Sequence, residues 1–249
     1  MAYFRGDIKS KELQMDTTIH VIIPEDLEGK GRNNLKVLYL FHGQSDNASA
    51  WIRNTRLEYY ARKYNIAIVL PEVQRSFYTN MEFGLNYFSY VSEELPKICN
   101  NLFHFSGKRE NTFVAGLSMG GYGSLKCALS RPDVFSKCGA FSSAIDMNRR
   151  FETNDSNYAK ELKGVFGDEI KPQDDLFKLA EKLLTEKNEI FPKLFITCGT
   201  KDFLYEENIM FKKFLKSKKI DFKYVEWEGF HEWGFWDESI KLMLENFLF

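Results

Sequence analysis

Residues 114–123, VAGLSMGGYG, constrain this chain more than any other stretch. An apolar run at 111–115 leads into Gly116-Leu117-Ser118-Met119-Gly120, and a helical pattern follows to residue 131. The G-x-S-x-G spacing puts Ser118 on a turn too sharp for an ordinary side chain. Gly116 and Gly120, two before and two after it, let neighbouring backbone pass close by. A serine held there exposes its Oγ above the positive end of a helix, as a nucleophile needs when its attack creates an oxyanion. The bare pattern arises often by chance. The strand before it and the helix after it supply the context it requires.

Around this turn, apolar runs alternate with longer helical patterns, which predicts an α/β chain with a mostly parallel sheet of about eight strands and helices on both faces. Strands are expected at 17–23, 35–41, 66–70, 111–115, 138–142, 194–198 and 222–228, with residues 29–34 as a hairpin turn into the second. Helices are expected at 87–101, where Pro96 demands a kink or a break, at 206–218 and at 233–249. The polar segment 144–189 breaks the rhythm but carries a helical patch at 176–187. We read it as a small cap insertion over the site, within one domain spanning residues 1–249.

Charge and composition narrow the partners. Thirty-four basic side chains nearly cancel 35 acidic ones, leaving a net charge of -1, so nothing asks for nucleic acid or an anionic membrane. The Lys-rich stretch 212–219 reads as the solvated face of an amphipathic helix. Hydrophobic residues at 44% and charged residues at 28% fit an ordinary globular core. No run approaches a membrane span, and residues 1–10 lack the apolar core of a signal peptide, so a cytoplasmic setting is the expectation. Cys99, Cys127, Cys138 and Cys198 show neither metal-like spacing nor a paired framework, and the last three read as buried small hydrophobes.

Ser118 needs a base within reach and an acid to orient that base. His20 falls in an early strand and His104 in an aromatic run, so both read as packing. His42 ends a strand and opens His42-Gly43-Gln44, where it reads as holding the loop in shape. His231, in Gly229-Phe230-His231-Glu232-Trp233, lies in a glycine-containing loop between the last strand and the last helix, where an α/β-hydrolase keeps its base. Asp202 follows the strand at 194–198 directly and precedes His231, which makes it the expected orienting carboxylate, ahead of Asp146, Asp168, Glu206, Glu207 and Asp221. The backbone N–H of Met119 and that of Gln44, with Gly43 in reserve, are the expected oxyanion donors.

Together, His42-Gly43, the Gly116–Gly123 elbow, Gly199-Thr200-Lys201-Asp202 and Gly229-Phe230-His231-Glu232-Trp233 resemble the esterase D family of α/β-hydrolases, most of all its bacterial tributyrin esterase branch. Relatives include S-formylglutathione hydrolases and feruloyl and acetylxylan esterases. The resemblance runs from about residue 15 to the C-terminus and takes in Ser76-Phe77-Tyr78-Thr79-Asn80, Tyr87, Tyr90 and Glu93-Glu94-Leu95-Pro96. It implies an α/β-hydrolase fold and a serine carboxylesterase that hydrolyses short-chain acyl esters through an acyl-enzyme, on small-molecule substrates that include acetylated or feruloylated carbohydrates. No metal or organic cofactor is implied, and homo-oligomers occur among relatives. Gln44 departs from the small or hydrophobic residue common after His-Gly, and Asn80 stands where many relatives have Asp. The loop Gln44-Ser45-Asp46-Asn47 lacks the cysteine typical of S-formylglutathione hydrolases.

Tyr78, Trp233 and Trp51 are the expected substrate-binding aromatics, with Phe77, Phe83 and Trp236 nearby. An acyltransferase or S-formylglutathione hydrolase on the same triad, and a non-catalytic binding relative, are the competing readings.

Overall fold

A computed structural model of the chain describes residues 1–24 and 35–246. The expected hairpin turn at 29–34 lies outside them, as do the last three positions of the helix expected at 233–249.

Eight strands form one sheet: β1 (Ala2–Ser10), β2 (Met15–Ile23), β3 (Lys36–Phe41), β4 (Ile66–Pro71), β5 (Thr112–Leu117), β6 (Lys137–Phe141), β7 (Lys193–Gly199) and β8 (Phe222–Trp227). Their spatial order is β1-β2-β4-β3-β5-β6-β7-β8. β1 and β2 pair antiparallel, β2 joins β4 antiparallel, and every pair from β4 to β8 is parallel. This is the mostly parallel sheet and the α/β-hydrolase architecture that the sequence predicts. Chain order reverses at β3, which lies between β4 and β5, and ligands of open parallel sheets bind at the carboxyl ends beside such a reversal.

The helices are α1 (Ala50–Asn54), α2 (Leu57–Lys63), α3 (Tyr87–Ser89), α4 (Leu95–Phe103), α5 (Met119–Ser130), α6 (Met147–Phe151), α7 (Ser156–Phe166), α8 (Leu176–Glu186), α9 (Tyr205–Ser217) and α10 (Trp233–Asn246). Strand periodicity explains why both faces are covered. Val37, Tyr39 and Phe41 of β3 face one core with Cys99 of α4, Leu125 of α5 and Phe211 of α9. Leu38 and Leu40 face the other, with Tyr60 of α2 and Ile240 of α10. A strand buried on both faces reads as an unbroken apolar run, which is why β3, β4 and β5 are legible.

Two elements differ from expectation. β1 is an edge strand with mostly exposed residues and no apolar periodicity. The helix expected at 87–101 contains a π-turn, Tyr90–Glu94, between α3 and α4, and Pro96 sits in the first turn of α4. Proline has no N–H to continue the α ladder, and the wider π-turn just before it, closed by Leu95 N–H to Tyr90 O, takes up the interruption where the chain re-enters α geometry. Helices α6, α7 and α8 fill the interval between β6 and β7.

Candidate active site

Ser118 joins β5 to α5 with φ 53° and ψ -116°, a left-handed backbone that a residue with a Cβ avoids. Three hydrogen bonds hold it there: Ser118 N donates to Phe141 O at 2.9 Å, and its carbonyl accepts from Tyr122 N and Ala144 N at 3.1 Å each. The flanking glycines are obligatory. A Cβ on Gly116 would lie 2.3 Å from Gly120 O, and one on Gly120 would lie 2.5 Å from Phe41 O. Ser118 itself stays partly open to solvent at the carboxyl edge of the sheet. Met119 opens α5, so its N–H belongs to the helix end that lacks intrahelical acceptors.

Asp202 and His231 are in contact. The His231 ring Nδ1 lies 2.9 Å from Asp202 Oδ2 and 3.1 Å from Oδ1, so Nδ1–H donates to the carboxylate and Nε2 is left as the basic nitrogen. The Asp202 side chain has no exposed surface, while that of His231 is 17% exposed. Asp202 Oδ1 also accepts from Leu204 N at 2.8 Å, which fixes the carboxylate. The loops carrying the two residues are tied by Thr200 N to Trp227 O at 3.0 Å and Lys201 N to Gly229 O at 3.1 Å. Because β5, β7 and β8 run parallel in one sheet, Ser118, Asp202 and His231 all emerge at the same edge. Among the described residues no hydrogen bond joins Ser118 Oγ to the imidazole.

His42 organises the loop after β3. Its Nδ1–H donates to Gly43 O at 2.8 Å, and its Nε2 accepts from Val73 N at 3.3 Å. The Gly43 carbonyl also accepts from Asp46 N at 3.2 Å. The Gly43 carbonyl is therefore held twice. Since N–H and C=O point oppositely across a planar peptide, fixing Gly43 C=O aims the Gln44 N–H away from His42. The loop lies against the elbow: a Cβ on Gly43 would sit 3.8 Å from Ser118 Cβ. Gln44 Nε2 is buried and makes no hydrogen bond among the described residues.

Two carboxylates frame this loop. Glu72 accepts from Ala48 N at 2.9 Å and from Gln74 N at 2.8 Å, and it stands 3.5 Å from His42 Nε2. Burial opposes its charge, but the His42 side chain and the two amides outweigh that opposition and hold the carboxyl at about 2. Burial instead pushes the Asp46 carboxyl above its ordinary range, against the pull of His42, the Gly43 amide, Arg53 and His231.

The expected aromatic contacts need correcting. Tyr78 is fully buried: it stacks on Phe41 at 4.3 Å and donates its hydroxyl to His42 O at 2.9 Å. It supports the loop from beneath and presents nothing to a substrate. Trp51 is also fully buried, donating its indole N–H to Phe41 O at 2.9 Å. Trp233 is half-buried, edge-on to Trp51 at 5.4 Å and to Trp236 at 5.2 Å. The rings nearest His231 are Trp236, perpendicular at 4.8 Å, and Phe203 at 4.5 Å. Phe203 is 73% exposed and Phe230 is 55% exposed, so these two form an apolar rim around the imidazole. Sequence reasoning passed over both, although each adjoins a candidate catalytic residue. Glu72 was missed as well; its signal is a carboxylate directly after the strand-ending Pro71.

The chain matches the family described as "Putative esterase" over residues 10–247. It is 36% identical over 255 residues to an acetyl esterase of Caldicellulosiruptor saccharolyticus, the match covering 96% of each. Among solved structures, the substrate-bound fluorophosphonate-binding serine hydrolase F of Staphylococcus aureus is 30% identical with TM-score 0.91, over 100% of this chain and 98% of that one. An S-formylglutathione hydrolase of the same organism is 31% identical with TM-score 0.88, over 100% and 99%.

Proposed function

The chain belongs to this esterase family and is a carboxylic ester hydrolase; from that premise we propose that it cleaves short-chain acyl esters through a Ser118-His231-Asp202 triad. The observation that carries the reading is the imidazole held by a buried carboxylate at the sheet edge where a strained, open serine emerges. His231 Nε2 removes the Ser118 proton as Oγ attacks the ester carbonyl. The developing oxyanion takes hydrogen bonds from the N–H groups of Met119 and Gln44, each donor contributing roughly 2.7–4 kcal/mol in comparable sites. The imidazolium, stabilised by Asp202, protonates the leaving alcohol, and the ring then activates water against the acyl-enzyme. The twice-held Gly43 carbonyl, which fixes the direction of the Gln44 N–H, supports Gln44 as the second donor in preference to Gly43.

The acyl group is acetyl to butyryl. The acetyl esterase relative supports this, and so does the segment between β6 and β7, whose three helices of 5, 11 and 11 residues form a small cap rather than a broad lid. Trp233, with the Phe203 and Phe230 rim, forms the substrate-contacting surface, and acetylated or feruloylated carbohydrates are the natural class to examine. The solved S-formylglutathione hydrolase at 31% identity makes that thioester the second substrate to try.

A panel of p-nitrophenyl esters of rising chain length, with methyl ferulate, acetylated xylo-oligosaccharides and S-formylglutathione, tests the proposal. A steep fall beyond butyrate is expected. Ser118→Ala should abolish p-nitrophenyl acetate turnover and fluorophosphonate labelling; unchanged turnover would refute the nucleophile.

A further inference from the structure

A second cavity, of about 410 Å³, lies between α5, α8 and the stretches around residues 80–88 and 165–174. None of Ser118, Asp202 or His231 lines it, and its size suits a small ligand. At its floor sits an ion pair that the ester chemistry does not use. Lys126 and Asp174 have side chains only 4% and 6% exposed, and the Lys126 ammonium donates to Asp174 Oδ1 and, at 2.8 Å, to Thr79 Oγ1. Such a buried pair is a poor source of stability, because well-packed apolar residues of similar volume serve at least as well. Its presence beside open volume calls for another explanation.

Each partner has bonding capacity left. An ammonium has three N–H groups; hydrogen bonds to Thr79 and Asp174 use two of them, and the rings of Phe88 and Tyr122 flank the charge at 5.0 Å and 5.9 Å. Asp174 Oδ2 accepts no hydrogen bond among the described residues. Burial pushes the Lys126 ammonium below its ordinary range, against the pull of Asp174. A donor and an acceptor therefore stand side by side on the cavity floor. Gln173 and Ser130 add uncharged polar groups to the walls, while Leu129, Phe166 and Leu183 supply apolar surface. Lys171, Lys182 and Lys187 with Glu82 and Glu186 bring nearly balanced charge of both signs, Lys171 paired with Glu82.

We propose that this cavity binds a small neutral polyol, a mono- or disaccharide, through Lys126 and Asp174. A hydroxyl both donates and accepts, so it satisfies the two partners together. An anion would instead face the Asp174 carboxylate, and a cation the Lys126 ammonium. Sugar rings also present C–H faces that match the apolar walls. This site is independent of the ester reading, since it shares no residue with the proposed triad.

The test is ligand-observed NMR and calorimetry with D-glucose, D-xylose and xylobiose, with acetate, butyrate and inorganic phosphate as competing classes. Saccharide binding in the millimolar range is expected for the native chain. It should weaken at least about tenfold, the loss of a charge-assisted hydrogen bond, in the double variant Lys126→Met/Asp174→Leu. Leu183→Trp fills the cavity from its wall, leaves the pair in place and should give the same loss. It decides the matter if the double variant fails to fold. Esterase activity, measured separately, reports on the other site. The proposal is overturned if no saccharide binds at high millimolar concentration, if binding persists in a folded variant, or if only the anions bind in the cavity.

Discussion

At Asp202, one carboxylate fixes the tautomer of His231 and, in the proposed mechanism, faces the charge that forms on it. Asp202→Asn keeps the volume but offers an N–H where Nδ1–H needs an acceptor, which turns the ring so that Nε2 is no longer the free base. The expected outcome is a fall in kcat of roughly 10⁴-fold with little change in KM, the size such a tautomer error produces in a comparable triad. Steady-state kinetics with p-nitrophenyl acetate would settle this, and a loss under tenfold would remove Asp202 from the mechanism. His42 acts at one remove, by holding the Gly43 carbonyl. His42→Ala frees that peptide to rotate and should lower kcat by up to about 10²-fold, approaching the value of one oxyanion donor. Since His42 is a positioning residue, the effect should fall on kcat and leave fluorophosphonate labelling of Ser118 detectable. An equal rise in KM with kcat intact would instead mean that the loop serves binding.

At the scale of elements, the loop after β3 is held by the loop after β4, and Glu72 is the tie. Its folded carboxyl titrates at about 2 against an ordinary value of 4.5. A depressed acid contributes stability that is fully present above the ordinary value and is lost as pH falls through the depressed one. The window is therefore pH 4.5 down to 2, and the contribution is at most roughly 3 kcal/mol. Urea unfolding of the native chain and of Glu72→Gln across this range should show a stability gap that closes toward the acid end; a gap independent of pH would exclude the carboxylate as its source. The same tie shows where sequence reading stops. β3, β4 and β5 announce themselves because burial on both faces leaves continuous apolar runs, and the elbow is legible because its strand, turn and helix are contiguous. Asp202 and His231 could be chosen because each follows a strand whose carboxyl end must share an edge with that of β5. Glu72 and His42 also each follow a strand, β4 and β3, but that these two strands lie side by side in parallel is a matter of topology that the sequence does not write out. Tyr78 and Trp51 looked like pocket residues because an aromatic beside a site motif carries no mark of which way it points. β1 hid for a different reason: it is an edge strand paired on one side only, so its exposed residues follow no core-facing alternation.

At the scale of the whole molecule, the two halves of the site depend on a tie between α9 and the loop after β6. Glu207, on α9, is buried; its Oε2 accepts from Ile145 N at 2.7 Å and Asp146 N at 2.9 Å, while Oε1 accepts from Arg150 at 2.9 Å. Asn208 beside it donates to Ser143 O and Leu204 O. The segment so gripped, 143–146, includes Ala144, whose amide holds the Ser118 carbonyl, and α9 begins three residues after Asp202. One carboxylate thus links the loop supporting Ser118 to the helix that follows Asp202. Burial pushes the Glu207 carboxyl above its ordinary range, so its charge is sustained only by these partners, Arg150 foremost. Glu207→Ala leaves Arg150 and two amides uncompensated in a buried setting and should cost about 3–5 kcal/mol. For a chain of this size that corresponds to a drop in Tm of roughly 6–20 °C. Since Glu207 does not contact the imidazole or Ser118, the fraction still folded at 25 °C should keep kcat within about tenfold of the native value. Calorimetry and kinetics on one preparation separate the two outcomes: a large loss of kcat with Tm unchanged would place Glu207 in the chemistry, while loss of stability alone would confirm it as the brace between the serine and its acid.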